Sequence, residues 1–121
     1  MDQKTIIKEW FESWVTKDFS KIEEYFIEDI YYRECYGPIY CGLSQLSQWI
    51  ELMKAKQDVL EWRIDRIFAV QSDIFVVEWY FRAREEQEYA FDGVSIIEFK
   101  KEKIKKLTEY QAKHETYRPF G

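Results

Sequence analysis

A chain of 121 residues buries one hydrophobic core, so a single domain spanning 1–121 is expected. Lys+Arg 18 against Asp+Glu 23 leaves a net charge of −5, which argues against a nucleic-acid surface, because neutralising phosphates needs clustered positive charge. No apolar run approaches the roughly 18 residues that cross a bilayer, and Met1–Trp10 is charged and helical in period rather than leader-like, so a soluble, cytoplasmic protein is expected.

Ile6, Ile7, Trp10, Phe11, Trp14 and Val15 recur at three-and-four spacing and predict a first helix ending at Asp18-Phe19. Ser20-x-x-Glu23 reads as a capping box for a short second helix with Phe19, Ile22 and Phe26 as its apolar stripe. Asp29–Gly42 follows, predicted as a strand over Ile30–Cys35, a turn at Gly37-Pro38, and a helix start at Gly42. Leu43, Leu46, Ile50 and Met53 mark the third helix, with Trp49 beside its stripe.

The period then changes from 3.6 to 2. Trp62, Ile64 and Phe68 alternate with Arg63, Asp65 and Ile67. After Ser72-Asp73, Phe75, Val77, Trp79 and Phe81 face one way, while Glu78, Tyr80 and Arg82 face the other. Glu78 and Arg82 share a face and are expected as a solvated or interfacial ion pair. The strand Tyr89–Phe99 sets Phe91, Gly93, Ser95, Ile97 and Phe99 on one side, with Gly93 expected at a bend or bulge. A turn in the lysine run near Lys101–Lys103 leads to a last strand, Ile104–Lys113. Three helices followed by strands in sequential hairpins imply an α+β fold, a strongly curved, mainly antiparallel sheet around the helices. The tail carries Tyr117 and Phe120 and is short enough to dock.

Much familiar chemistry is missing. His114 is the only histidine, so no two-histidine metal site or cysteine–histidine zinc cluster can form; a carboxylate-only site stays formally open, but no ligand-spacing motif marks one, and no metal is expected. No serine sits in a nucleophile elbow, and no glycine-rich phosphate loop exists among four glycines, so no cofactor is expected. Cys35 and Cys41 are expected as reduced, partly buried residues rather than a disulfide. Aromatic residues make up 19% of the chain, more than a minimal core needs, which suits a lined cavity or an interface.

Several segments in order, W-x-x-x-W-x-x-K-D (Trp10 to Asp18), I-E-E-Y-F-I-E-D-I (Ile22 to Ile30), Y-G-P-x-Y-x-G (Tyr36 to Gly42), F-D-G-V-S-I-I-E-F (Phe91 to Phe99) and K-I-K-K-L-T-E-Y (Lys103 to Tyr110), resemble the nuclear transport factor 2-like superfamily, close to its SnoaL-like (polyketide-cyclase-like) members. That resemblance implies a cone-shaped α+β barrel. It implies no single activity, because the superfamily spans isomerases, cyclases, dehydratases, hydrolases and non-catalytic modules. Laid on ketosteroid isomerase, the catalytic base falls on Glu34, the tyrosine oxyanion donor on Trp10 and the protonated-acid donor on Ser95. Two of the three groups are therefore changed, which argues against steroid isomerisation by that constellation. The resemblance also implies a last-strand register with Leu107, Glu109 and Gln111 inward, whereas apolarity alone favours Ile104, Thr108 and Tyr110; Glu109 inward is the reading taken.

The expected site thus has Glu34 and Glu109 as proton-transfer groups. Trp10, Trp14, Tyr32, Trp49, Trp62, Trp79, Phe91 and Ser95 are the expected contacts for a small, largely apolar or aromatic molecule. The open alternative is a non-catalytic carrier or interaction module. A homodimer through the outer sheet face, around Glu78, Tyr80, Arg82, Tyr89 and Val94, is expected from relatives.

Overall fold

The computed structural model describes residues 1–121. Its elements are α1 (Gln3–Thr16), α2 (Ile22–Tyr25), β1 (Phe26–Arg33), β2 (Ile39–Cys41), α3 (Leu43–Lys56), β3 (Asp58–Gln71), β4 (Ile74–Arg84), β5 (Glu88–Lys100) and β6 (Lys103–Ala112). The six strands form one sheet in the order β2-β1-β6-β5-β4-β3. All neighbours are antiparallel except β1 and β6, which run parallel. The sheet curls without closing, leaving β2 and β3 as its edges. Helix α1 lies against β3, and α3 covers β1 and β2.

Asp2 starts α1 by accepting the Thr5 N–H at 2.8 Å. Lys17, at φ 61°, ends it in the left-handed region, so this helix stops just short of Asp18. Its N-terminal turn is tied to two hairpin tips, because Gln3 Nε2 donates to Asp73 Oδ1 at 2.7 Å and to the Lys101 carbonyl at 2.8 Å. The expected capping box at Ser20 does not form. Helix α2 is a single turn that starts after Lys21 without a side-chain cap, and the Ser20 N–H is taken by Asp18 Oδ1 at 3.0 Å. Phe26 already belongs to β1, where it is buried.

Three further expectations are corrected by single extra residues or their absence. β3 shifts register between Ile64 and Arg66, so Ile67 packs on the core and Phe68 turns out to solvent, 42% exposed. β6 shifts between its pairs Phe99–Ile104 and Glu98–Lys106. The additional Lys105 lets Ile104, Leu107 and Glu109 all point inward, reconciling the two competing registers; Gln111 is exposed, and Tyr110 faces out. Conversely, β4 and β5 pair without interruption through Trp79 and Gly93, so Gly93 marks no bulge. A Cβ there would sit 2.2 Å from the Trp79 ring; glycine is required because the indole lies flat over that backbone.

The core is largely aromatic. Trp10 meets Phe26 edge-on at 4.7 Å, Phe11 stacks on Trp62 at 4.1 Å, and Trp14 meets Trp49 at 4.8 Å. The tail does not dock, since Tyr117 and Phe120 are 85% and 100% exposed.

Candidate functional site

The strand expected over Ile30–Cys35 begins earlier and ends at Arg33. Glu34 and Cys35 therefore stand in the turn that joins β1 to β2. The turn is closed by the Glu34 N–H to the Pro38 carbonyl at 2.9 Å and the Gly37 N–H to the Glu34 carbonyl at 2.9 Å. Gly37, at φ 108°, supplies a backbone conformation other residues rarely adopt. The turn carries Glu34, Cys35 and Tyr36 over the open end of the curled sheet, where they form one side of a cavity.

The other walls come from α1 (Trp14), α3 and its end (Trp49, Met53, Gln57), β3 (Trp62), β4 (Trp79, Phe81), β5 (Phe91) and β6 (Glu109). The space between the walls is about 370 Å³ including its open mouth, which suits a compact group. No Lys, Arg or His is among the wall residues.

Glu109 is 6% exposed, and no cation pairs with it. The Tyr32 hydroxyl donates to its Oε2, and Trp10 Nε1 donates to that same hydroxyl at 3.4 Å. Burial pushes the Glu109 carboxyl up to about 8; the Tyr32 bond and the Cys35 backbone oppose the rise, and the charge of Glu34 adds to it. Tyr32, with no exposed surface, is itself raised well above the usual phenol range, by burial first and then by Glu109.

Glu34 sits half-buried at the mouth, accepting from the Tyr40 hydroxyl at 3.1 Å. Burial raises its carboxyl too, while Tyr40 and Lys56 pull it down. Lys56 lies outside, 3.9 Å from Glu85. Tyr40 stacks on Trp49 at 4.7 Å, which fixes where its hydroxyl points. Burial also lifts the Cys35 thiol to about 12, so it is not a ready thiolate. Cys35 and Cys41 are both free.

Of the residues singled out from the sequence, Glu34, Glu109, Trp14, Trp49, Trp62, Trp79 and Phe91 meet at one cavity. Trp10, Tyr32 and Ser95 stand behind its walls, fully buried. Ser95 Oγ accepts from Trp79 Nε1 at 2.9 Å, and Trp10 donates to Tyr32, so the two positions matched to oxyanion donors serve as braces. Sequence reading missed Cys35, Tyr36, Met53, Gln57 and Phe81 as wall residues, and Tyr40 as the partner of Glu34. Phe81 was within reach of it, sharing a strand face with Trp79; Gln57, at the junction of α3 and β3, carried no signal. The indole nitrogens of Trp14 and Trp62 are buried without an acceptor.

A curled, mainly antiparallel six-stranded sheet around three helices is the α+β fold of nuclear transport factor 2-like proteins. Within it, the chain belongs to the SnoaL-like domain family, whose model matches residues 7–107. Similar solved structures include a hypothetical protein of ketosteroid isomerase-like fold from Catenulispora acidiphila, described in complex with trimethylamine. It is 18% identical, with a TM-score of 0.77, over 87% of this chain and 83% of that one. An epoxide hydrolase of the LEH-like type from M. tuberculosis is 15% identical, with a TM-score of 0.79, over 89% and 80%. A candidate SnoaL-like polyketide cyclase from Mesorhizobium loti is 20% identical, with a TM-score of 0.71, over 91% and 99%. At these identities the likeness concerns the fold. No curated protein matches the chain, and no helix is long and apolar enough to cross a membrane.

Proposed function

We propose that the chain binds a small, largely apolar molecule in this cavity and moves a proton on it, in the manner of isomerases and cyclases. The observation that supports this reading is Glu109, a buried carboxyl without a cation, braced by Tyr32 and facing a wall of rings. A carboxyl held near 8 is protonated at neutral pH, and it can give a proton to, or hydrogen-bond, an oxygen on which charge develops. Glu34, nearer solvent and stabilised by Tyr40, is the complementary base. Two carboxyls whose surroundings differ in this way divide the acid and base roles. Trp14, Trp49, Trp62, Trp79 and Phe91 supply the contact surface, while Trp10, Tyr32 and Ser95 hold that surface in place.

The test is deuterium uptake from heavy water into acidic C–H positions of compact ketones, followed by NMR with wild type and Glu109→Gln. Uptake by wild type that Glu109→Gln abolishes is expected, and uptake unchanged in that variant would sink the assignment. The second reading, a non-catalytic carrier, draws support from Trp10 and Ser95 serving as braces rather than free donors; it is favoured if compounds bind but none exchanges.

A homodimer through the outer sheet face completes the proposal. Phe68 and Ile96 are exposed there, in one cross-strand row with Val76, and light scattering in solution decides it. The two free thiols fit a reducing compartment such as the cytoplasm.

A further inference from the structure

The cavity wall is unusual in which charges it contains. Four tryptophans, two phenylalanines and Tyr36 surround two carboxyls, with no cation among the twelve wall residues. Ring faces carry negative potential and attract cations within about 6 Å, most strongly when the cation leaves water. An anionic ligand would find no cationic side chain in the wall to pair with. A metal ion would lack donors, since no group of three acidic, Cys or His side chains is placed to hold one. Resting on the reading of this cavity as a ligand site, the geometry points to a compact organic cation as its ligand class: an ammonium nitrogen carrying small alkyl groups, seated among Trp14, Trp49, Trp62 and Phe91, with Glu34 and Glu109 as counter-charges.

The position of Glu109 supports this assignment independently of the rings. No cationic side chain balances a negative charge at that depth, and burial favours the protonated carboxyl. A bound cation would take the place of that proton, and binding would strengthen as pH rises. The titratable groups around Glu109 are Tyr32 from β1, Tyr40 from β2, and Glu34 and Cys35 from the turn; the helices present Trp14, Trp49 and Met53 to the cavity, and β5 sets Ser95 opposite Glu109. None of these is a cation that could cancel the effect.

Choline and 3,3-dimethylbutan-1-ol differ essentially in replacing a charged nitrogen by carbon, so they separate charge from shape. Calorimetric titration of the full chain at pH 6.5 and pH 9 with both compounds, and with tetramethylammonium chloride against a potassium chloride control, tests the inference. Choline and tetramethylammonium should bind, with choline about tenfold tighter than the neutral alcohol and tighter at pH 9 than at pH 6.5. Glu34→Gln and Phe91→Leu, both at partly exposed positions and each checked for an unchanged circular dichroism spectrum, should each weaken choline binding severalfold. Equal affinity for the alcohol, binding of neither compound, a potassium effect as large as that of tetramethylammonium, or indifference to both variants overturns it. Absence of deuterium exchange into ketones leaves these binding results standing, so the two readings fail separately.

Discussion

The two faces of the same strands treat their carboxylates in opposite ways. On the outer face Arg66 pairs with Glu78, Arg63 with Asp65 at 2.7 Å, and Arg82 with Glu88 at 2.8 Å and Glu61 at 4.0 Å. The expected pairing of Glu78 with Arg82 is therefore replaced by cross-strand and hairpin partners. All these groups are exposed or half-exposed, and water does most of the work of stabilising them. Inside, Glu109 on β6 and Glu34 in the β1–β2 turn have hydroxyl groups rather than cations as their side-chain hydrogen-bond partners. The chain has 18 lysines and arginines and brings none to the cavity wall. Charges are thus paired where water screens them, and the cavity carboxyls stand without cations.

The largest expected effect comes from making one conservative change on each face. Glu109→Gln keeps the shape and removes the proton, and should lower any proton-transfer rate by about 10²- to 10⁴-fold. Glu78→Gln, the same chemistry on the outer face, should leave that rate unchanged. Rates measured side by side on a substrate found by the exchange screen would break the contrast if the two variants behaved alike.

The faces should also differ in the sign of their pH dependence. The Glu109 carboxyl is raised in the folded state to about 8 from an ordinary value of 4.5. The folded form therefore holds the proton more tightly across that window, and stability falls as pH rises from about 4.5 to about 8, with a slope of at most ~1.4 kcal/mol per pH unit. Glu88 and Asp58 are held below the usual carboxylate range by hydrogen bonds from Arg82 and Lys17, so their contribution is present at neutral pH and lost as pH falls through that lowered range. Urea denaturation between pH 5 and 8.5 should show a decline that Glu109→Gln flattens; a decline identical in the variant would remove Glu109 as its source.

Packing gives a smaller contrast between neighbouring residues. Gly93→Ala places a methyl group against the Trp79 ring and should cost about 1–3 kcal/mol, because that ring is hemmed in by Trp62, Phe81 and Phe91. Val94→Ala, on the outer face one residue on, should change stability by less than about 1 kcal/mol. Denaturation midpoints for the two variants decide whether the indole sits as tightly as that contact implies.

What could be read from the sequence, and what could not, follows the same division. The inner faces of β4 and β5 were legible, because Phe75, Val77, Trp79 and Phe81 repeat at period 2 without interruption. The outward turn of Phe68 and the joint inward placement of Ile104 and Glu109 were not, because a one-residue bulge reverses every side chain beyond it and leaves no compositional trace. Meeting of Glu34, Glu109 and the tryptophans at one cavity followed from the resemblance to the family, not from spacing. The roles of Trp10 and Ser95 were illegible for a different reason. Whether a buried donor is free depends on its hydrogen-bond partner, and theirs, Tyr32 and Trp79, lie 22 and 16 residues away in sequence.

The smallest expected effect lies at an exposed cross-strand ion pair. Arg66 and Glu78 face each other across β3 and β4 on the outer surface, and the Arg66 side chain is 65% exposed. Separating an exposed pair exchanges one set of hydrogen bonds for another with water and frees two long side chains, so Coulomb attraction is largely offset. A double-mutant cycle with Arg66→Ala and Glu78→Ala should therefore return a coupling of about 0.2–1 kcal/mol, shrinking as salt is raised. A coupling of several kcal/mol that persists in high salt would mean the pair is shielded from water in solution. That is the result expected if a second copy of the chain covers the outer face, so this small measurement bears on the proposed dimer as directly as on the contrast between the two faces.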